Sequence, residues 1–134
     1  MIKLVRLDYR LLHGQVVFSW TGHVGAQRII VVDDDAANDE MKKSALLLSK
    51  PAGVRVNIFT VDKAIAKMPK VEQLDEKIMM IFGNTAALLK FCQAYPKIKE
   101  INYGAVANKP GSVAFDQSVF LTPVSYTHLR AHET

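Results

Sequence analysis

The segment Ile78-Met79-Met80-Ile81-Phe82 gives the strongest indication of the fold, because all five residues are apolar and Gly83 follows directly. A continuous apolar run of this length is typical of a strand inside a parallel sheet, since helices cover both faces of such a strand. We therefore expect this segment at the centre of a parallel sheet.

Five further segments have the composition of strands, and predicted helices lie between most of them. The strands are predicted at 2–7, 28–32, 54–60, 98–103 and 118–122. One helix opens after His13, one is capped by Asn38 and ends before Pro51, one runs from Asp62 to its end at Pro69, and one runs from Thr85 toward Pro96. The alternation predicts the α/β class: a mainly parallel central sheet with helices on both faces, about six strands and three or four helices.

Alternating polarity assigns residues to the two faces of the predicted sheet. In the first strand, Ile2 and Leu4 are predicted to face one way, and Val5 and Leu7 the other. In the strand at 54–60, the three aliphatic residues at even positions are predicted to share one face. These residues are Val54, Val56 and Ile58.

Composition limits the class of protein. The chain has 134 residues, of which 49% are hydrophobic, which suits one globular domain. No run approaches the ~20 apolar residues of a membrane span, and the first residues do not form a secretory signal, so we expect a cytoplasmic protein. The net charge of +4 comes from dispersed Lys and Arg, which predicts no nucleic-acid partner. The single cysteine, Cys92, excludes an internal disulfide and is interpreted as a packing residue.

The strongest candidate for chemistry is the segment Leu7-Asp8-Tyr9-Arg10-Leu11-Leu12-His13-Gly14-Gln15-Val16. It joins the first strand to the first helix, so backbone N–H groups of Gly14, Gln15 and Val16 are free to bind an anion at the positive end of the helix dipole. His13 is a good nucleophile and a good leaving group when neutral.

Two charged residues in this segment suit a phosphoryl group on the histidine. Arg10 is able to bind two phosphoryl oxygens at once, and Asp8 is placed to orient either the arginine or the imidazole ring. One histidine beside one arginine at a strand end is also typical of a polar turn without catalytic function.

The pattern Asp8-x-Arg10-Leu11-x-His13-Gly14-Gln15-Val16 resembles the phosphorylation-site motif of the IIB components of the bacterial phosphotransferase system (PTS), in the mannose/fructose/sorbose family. The similarity spans residues 1 to about 123 in the family's order. Its further matching positions are Trp20, Gly25-Ala26, Arg28-Ile29-Ile30-Val31-Val32, Pro51-Ala52-Gly53-Val54 and Asn102-Tyr103-Gly104.

The resemblance implies a function for each residue of the motif. His13 would accept a phosphoryl group from a phosphohistidine on a IIA partner and donate it to a sugar held by membrane IIC/IID subunits, as a protein-Npi-phosphohistidine–sugar phosphotransferase. Arg10 would clamp the phosphoryl group, Asp8 would orient the loop, and the backbone of Gly14-Gln15-Val16 would bind phosphoryl oxygens. The resemblance also implies that Nδ1 is phosphorylated, whereas the sequence identifies neither the nitrogen nor the sugar. A carrier of this kind needs no ATP site, no cofactor and no metal.

Two features depart from the family. The family usually has a second acidic residue where this chain has Tyr9. Residues 125–134 match none of the family's further helix and strand and resemble translated cloning sequence, so we exclude His128 and His132 from the site. We expect a IIB-like domain at 1–124, truncated at its C terminus, that is marginally stable or covers an open face by forming a homo-oligomer.

An alternative from another class uses the acidic run Asp33-Asp34-Asp35 at the predicted end of the second strand. These residues would form a receiver-like, magnesium-dependent phospho-aspartate site or a simple anion-binding module. This alternative assigns no role to Arg10 and His13. Three adjacent acids are also typical of a solvated loop that leads into a helix.

Overall fold

The computed structural model describes residues 1–13, 15–104 and 120–121. The strands are β1 (Ile2–Leu7), β2 (Arg28–Val32), β3 (Arg55–Phe59), β4 (Ile78–Phe82), β5 (Ile101–Tyr103) and β6 (Phe120–Leu121). The helices are α1 (Gln15–Val24), α2 (Asp34–Asn38), α3 (Glu40–Leu48), α4 (Val61–Val71) and α5 (Thr85–Ala94).

The strands form one sheet in the order β3-β2-β4-β1-β5-β6. All pairings among β1 to β5 are parallel, and β6 pairs antiparallel with β5. β4 lies between β2 and β1, and all five of its residues are buried. The predicted α/β class and the central position of Ile78–Phe82 are therefore confirmed.

Each face of the sheet packs against its own hydrophobic core. The first core joins the sheet to α4 and α5, and the second joins it to α1, α2 and α3. β4 contributes to both cores, with Phe82 in the first and Met79 and Ile81 in the second. This double burial explains why its sequence shows no polar alternation.

The connections that follow β1 and β4 run toward opposite edges of the sheet. The connection through α1 leads from β1 to β2 on one side, whereas the connection through α5 leads from β4 to β5 on the other. In open α/β sheets, ligands bind outside the carboxyl ends of strands at such a topological switch point. The segment that follows β1 begins at this position.

The predicted faces are correct for β3 and wrong for one residue of β1. Val56 and Ile58 pack against the second core, as Val54 does. Leu4 also packs there, but Ile2 packs against the first core with Val5. The cause is a register shift against β4 between Ile2 and Leu4, because an extra residue in one strand reverses the faces of the residues before it.

The structure corrects two predicted helix boundaries and adds one helix. Asp39, not Asn38, caps α3, and its carboxylate accepts hydrogen bonds from the N–H groups of Met41 and Lys42. Pro69 lies inside α4 instead of ending it; the helix continues because Val71 is buried in the first core. The described chain has five helices because α2 forms directly after β2, where the sequence predicted a loop.

The strand predicted at 98–103 is shorter in the structure, because β5 begins at Ile101. Of the segment predicted at 118–122, the structure describes Phe120 and Leu121, and both lie in β6. The predicted tail at 125–134 lies outside the described residues. Among the described helices, none has the length and apolar character that crossing a membrane requires.

The first core predicts a large effect for Phe91→Ala. The Phe91 side chain is fully buried, and its ring centroid lies 5.1 Å from that of Phe82 and 5.6 Å from that of Tyr95. Its removal leaves a cavity, so we expect a loss of about 3–5 kcal/mol in the free energy of unfolding, measured by urea denaturation. Phe18→Ala is the control, because Phe18 is 43% exposed on α1 and should cost under ~1 kcal/mol. Equal losses would contradict this assignment of the core.

Candidate active site

The Asp8 carboxylate organises the residues that follow β1. Asp8 is fully buried. Its backbone N–H donates to the Phe82 carbonyl oxygen at 2.9 Å, which fixes Asp8 beside the end of β4. Asp8 Oδ1 accepts from Arg10 N and Nε, each at 3.0 Å, and Oδ2 accepts from Arg10 Nη2 at 2.9 Å. Of the two partners predicted for Asp8, the arginine and the imidazole ring, the carboxylate therefore contacts the arginine.

A second arginine, to which the sequence analysis gave no place in the site, lies beneath this pair. Arg6 is 4% exposed and donates from Nη2 to Asp8 Oδ2 at 3.3 Å and from Nη1 to Asn102 Oδ1. Its guanidinium carbon lies 5.8 Å from the Trp20 ring centroid, a cation–π arrangement. Burial lowers the pKa of Arg6, and Asp8 opposes that shift. Arginine stays charged at neutral pH, so one carboxylate faces two buried or half-buried cations and the group of three side chains is net positive.

Gly104 lies directly after β5, and because it has no side chain it leaves space for the hydrogen-bonded side chains of Arg6 and Asp8. Its N–H donates to the Leu7 carbonyl oxygen at 2.8 Å. A Cβ atom at this position would lie 2.7 Å from Arg6 Nη2 and 2.9 Å from Asp8 Oδ2. The segment Asn102-Tyr103-Gly104 matches the family in the sequence, but nothing local to it indicates contact with residues near position 8.

The loop between Asp8 and His13 is held in one conformation. Leu11 has φ of 55°, a left-handed conformation that is unfavourable for a branched residue. The conformation persists because Leu11 and Leu12 are buried in the second core and Leu11 N–H donates to the Asp8 carbonyl oxygen at 3.1 Å. His13 N–H in turn donates to the Arg10 carbonyl oxygen at 2.9 Å.

The His13 side chain at the end of this loop is exposed. Its Nδ1 lies 3.3 Å from Ser49 Oγ, at the C-terminal end of α3. α1 begins at Gln15, so the first free N–H groups of a helix follow the histidine as predicted. Gly14 and the side chains of Gln15 and Val16 lie outside the described part of the chain, and the phosphoryl-binding role of these three residues remains a prediction.

The acidic run forms separate structural contacts instead of one site. Asp33 caps α2 through Oδ2, which accepts from Ala36 N at 2.9 Å, and burial raises its pKa. Asp34 Oδ1 accepts from Val61 N at 2.8 Å, and the exposed Asp35 pairs with Lys42. Within the described residues, no three His, Cys, Asp or Glu side chains are grouped so as to hold a metal ion.

Three other residues have structural roles. Trp20 packs against the second core, and its ring contacts that of His23 edge-on at 5.6 Å in the last turn of α1. Cys92 packs against the first core, and burial raises the pKa of its thiol to about 11. A thiol with so high a pKa is a poor nucleophile at neutral pH.

Comparison with known proteins identifies the class. The family model described as "PTS system sorbose subfamily IIB component" matches residues 2–130. The chain is 35% identical over 122 residues to the sorbose-specific EIIB component of Klebsiella pneumoniae, covering 91% of this chain and 74% of the relative. It is 33% identical over 119 residues to the mannose-specific EIIAB component of Escherichia coli, covering 89% of this chain and 37% of the relative.

Solved structures agree with the sequence comparison. The crystal structure of the IIBSor domain of the Klebsiella pneumoniae sorbose permease superposes with a TM-score of 0.80 at 34% identity, covering 98% of this chain and 80% of that chain. The protein is thus a IIB component of a sugar phosphotransferase system. Within that class, it belongs to the sorbose subfamily.

The network around Asp8 predicts that Gly104→Ala destabilises the protein. The added methyl group collides with Arg6 Nη2 and Asp8 Oδ2, which are fixed by hydrogen bonds, so we expect a loss of about 1–3 kcal/mol in urea unfolding. Gly22→Ala is the matched control. Gly22 lies within α1 with no atom within 4 Å of an added Cβ, so this change should stabilise by roughly 0.5–1 kcal/mol. An unchanged stability of Gly104→Ala would show that the network shifts freely.

Proposed function

We propose that the chain is a phosphocarrier that accepts a phosphoryl group on His13 from a phosphohistidine of a IIA partner and donates it to a sugar held by membrane IIC/IID subunits. The observation that carries this proposal is an exposed imidazole on a loop fixed by Asp8 and Arg10. Membership of the sorbose-subfamily IIB components supports it.

The chemistry needs two displacements at phosphorus. A lone pair of the His13 ring attacks the phosphoryl group, and the N–P bond to the donor histidine breaks as the new N–P bond forms. In the second step, a sugar hydroxyl attacks, the bond to His13 breaks, and the hydroxyl proton is released. The N–H groups of Gly14, Gln15 and Val16, at the positive end of α1, would stabilise the charge on the phosphoryl oxygens in both steps.

Arg10 would provide the positive charge through one edge of its guanidinium. Nε and Nη2 are already bound by Asp8, and the Arg10 side chain is 35% exposed. The hydrogen bond with Asp8 raises the pKa of Arg10, so the group is cationic at all physiological pH values. Among the described residues, no hydrogen bond occupies the edge formed by Nη1 and the second N–H of Nη2, and this edge would bind two phosphoryl oxygens.

The proposed partners rest on one comparison and on the resemblance of the motif. The mannose-specific EIIAB relative carries A and B components under one name, which supports a IIA donor. The IIC/IID acceptors and the reaction as a protein-Npi-phosphohistidine–sugar phosphotransferase follow from the resemblance. A cytoplasmic location, a homo-oligomer and the 1–124 domain boundary remain predictions.

The structural contacts of the three acids favour histidine over aspartate as the acceptor. Asp33 and Asp34 bind backbone N–H groups, and Asp35 pairs with Lys42. A receiver-like site would require these carboxylates to converge on one cation.

The linkage to phosphorus should identify the acceptor. Incubation with a phosphorylated IIA partner should label the protein with a bond that acid cleaves and alkali spares, because protonation of the nitrogen makes a phosphoramidate leave readily. ATP with magnesium alone should give no label. A label that survives acid, or that hydroxylamine removes, would favour the aspartate site.

His13→Ala should abolish this labelling and retain the fold, because the exposed ring contributes little to either core. Labelling is measured by phosphoprotein gel, and folding by circular dichroism. His23→Gln is the control, because His23 lies at the far end of α1 and should label like wild type. Full labelling of His13→Ala would place the acceptor elsewhere.

Arg10→Lys and Arg10→Ala should separate charge from geometry. Lysine supplies a point charge without parallel donors, so we expect it to recover only part of the transfer rate. Alanine should lower the rate by about 10²- to 10³-fold, or ~2–4 kcal/mol, in single-turnover transfer from the IIA partner. Equal rates for wild type and both variants would limit Arg10 to a structural role in the loop.

A further inference from the structure

A groove lies beside the β3 edge of the sheet, on the face that α4 and α5 cover, and we call it the α4 groove. Ile30, Asn57 and Phe59 of β2 and β3 form its floor, and α4 forms one wall. Its volume is about 380 Å³, which is in the range of sites for small molecules. The loop that carries His13 packs against the second core, so the α4 groove lies on the opposite face of the sheet.

Three lysines, Lys63, Lys67 and Lys70, line the α4 groove from successive turns on one flank of α4. A helix rises roughly 10 Å over this interval, so the three side chains border the groove over about that length. Within the described part of the chain none of the three forms an ion pair, whereas Lys90 of α5 pairs with Asp62 at 2.8 Å. Like charges at this spacing repel and weaken a helix, so an anion in the groove would relieve an existing repulsion.

Arg28 adds a fourth positive charge, and its position is fixed. Its side chain is 16% exposed, Nε donates to Glu76 Oε1 at 2.7 Å, and Nη1 donates to Asn57 Oδ1 at 2.5 Å. Among the described residues that line the groove, none is acidic. Because Arg28 binds the Asn57 oxygen, the amide NH2 group of Asn57 is the part able to donate to a ligand hydroxyl. The groove thus combines surplus positive charge with a neutral donor.

The remaining lining of the groove is partly apolar. The half-buried side chains of Phe59 and Leu74 both contribute to it. Lys63 Nζ lies 5.3 Å from the Phe59 ring centroid, so a cation–π contact already holds one ammonium group beside the floor. Lys67 is half-buried, as expected where a long stem covers apolar surface and keeps its charge in water. A ligand with an anionic end and a carbon skeleton matches both parts of this lining.

We propose that the α4 groove is a binding site for a small phosphomonoester. The phosphate binds among the ammonium groups of Lys63, Lys67 and Lys70, and the carbon skeleton lies on Phe59 with a hydroxyl against Asn57. A phosphomonoester carries nearly two negative charges and three strong acceptor oxygens, so it meets several ammonium groups at once, whereas a carboxylate offers one charge. The site is independent of the phosphoryl transfer proposed for His13.

A titration with glucose 6-phosphate, followed by ¹H–¹⁵N NMR of the backbone amides, tests the site. We expect saturable shifts in β3 and α4, with a dissociation constant near or below about 1 mM at low ionic strength. Glucose lacks the phosphate and should give no saturable shifts there. Inorganic phosphate lacks the carbon skeleton and should bind at least roughly threefold more weakly. No saturable shifts with glucose 6-phosphate, or equal binding of glucose or of inorganic phosphate, would overturn the proposal.

Removal of one positive charge should weaken binding. Lys67→Gln retains most of the stem, so we expect binding about five- to tenfold weaker than in wild type, while Lys67→Arg should stay within about twofold. Lys63→Gln, at an exposed position, should weaken binding as well. Lys43→Gln is the matched control, because Lys43 is also a half-buried helical lysine but belongs to α3, on the other face of the sheet. Wild-type binding by Lys67→Gln and Lys63→Gln, or an equal loss in Lys43→Gln, would contradict the assignment.

Arg10→Ala separates the α4 groove from the candidate active site, where a phosphate group is also able to bind. We expect the shifts in β3 and α4 and the dissociation constant to be the same in this variant as in wild type. Shifts that centre on the loop before α1 and vanish in Arg10→Ala would place glucose 6-phosphate at the candidate active site and overturn the role of the α4 groove. Phosphoryl transfer to His13 is tested separately, by its own labelling.

Discussion

A single buried carboxylate, that of Asp8, holds together the loop, the sheet and two arginines. It accepts hydrogen bonds from Arg6 and Arg10 and from the loop backbone, in an interior where charges interact strongly. Removing one partner of a buried ion pair commonly costs ~3–5 kcal/mol, because the other charge is left uncompensated. The carboxylate ties the Arg10 backbone N–H to the end of β1, and the backbone carbonyl oxygen of Asp8 accepts from Leu11 N–H at the strained turn that precedes His13.

The sheet order brings this carboxylate to a position where a site is able to form. β1 lies between β4 and β5, so the residues after β1 meet Phe82 on one side and Gly104 on the other. The helices complete the arrangement, since α1 begins just after His13 and α3 ends at Ser49 beside its ring. The exposed imidazole therefore lies between the positive end of one helix and the negative end of another.

The local pattern of apolar and polar residues predicted most of the secondary structure. The predictions failed where tertiary packing outweighed that local pattern. The six strands follow from apolar runs and alternation, because those patterns reflect burial on one face or two. Pro69 does not end α4, because burial of Val71 keeps the last turn in place. Ile2 takes the opposite face because a register shift depends on how β1 meets β4, and no residue of β1 alone reveals it. The sequence leaves the acids after β2 open to a metal site, whereas in the structure Asp33 and Asp34 bind separate backbone N–H groups.

The sequence by itself determined the α/β class, the central strand at 78–82 and the motif from Asp8 to His13 at a strand-to-helix turn. These features depend on neighbouring residues, and the chain's periodicity records them. Only the tertiary structure showed that Arg6, Asn102, Gly104 and Ser49 surround that motif. Arg6 and Asn102 are 96 residues apart, and a buried arginine in a strand contradicts the usual relation between polarity and exposure. Contacts of this kind depend on strand order and crossover direction, which bring distant residues together without leaving a local pattern.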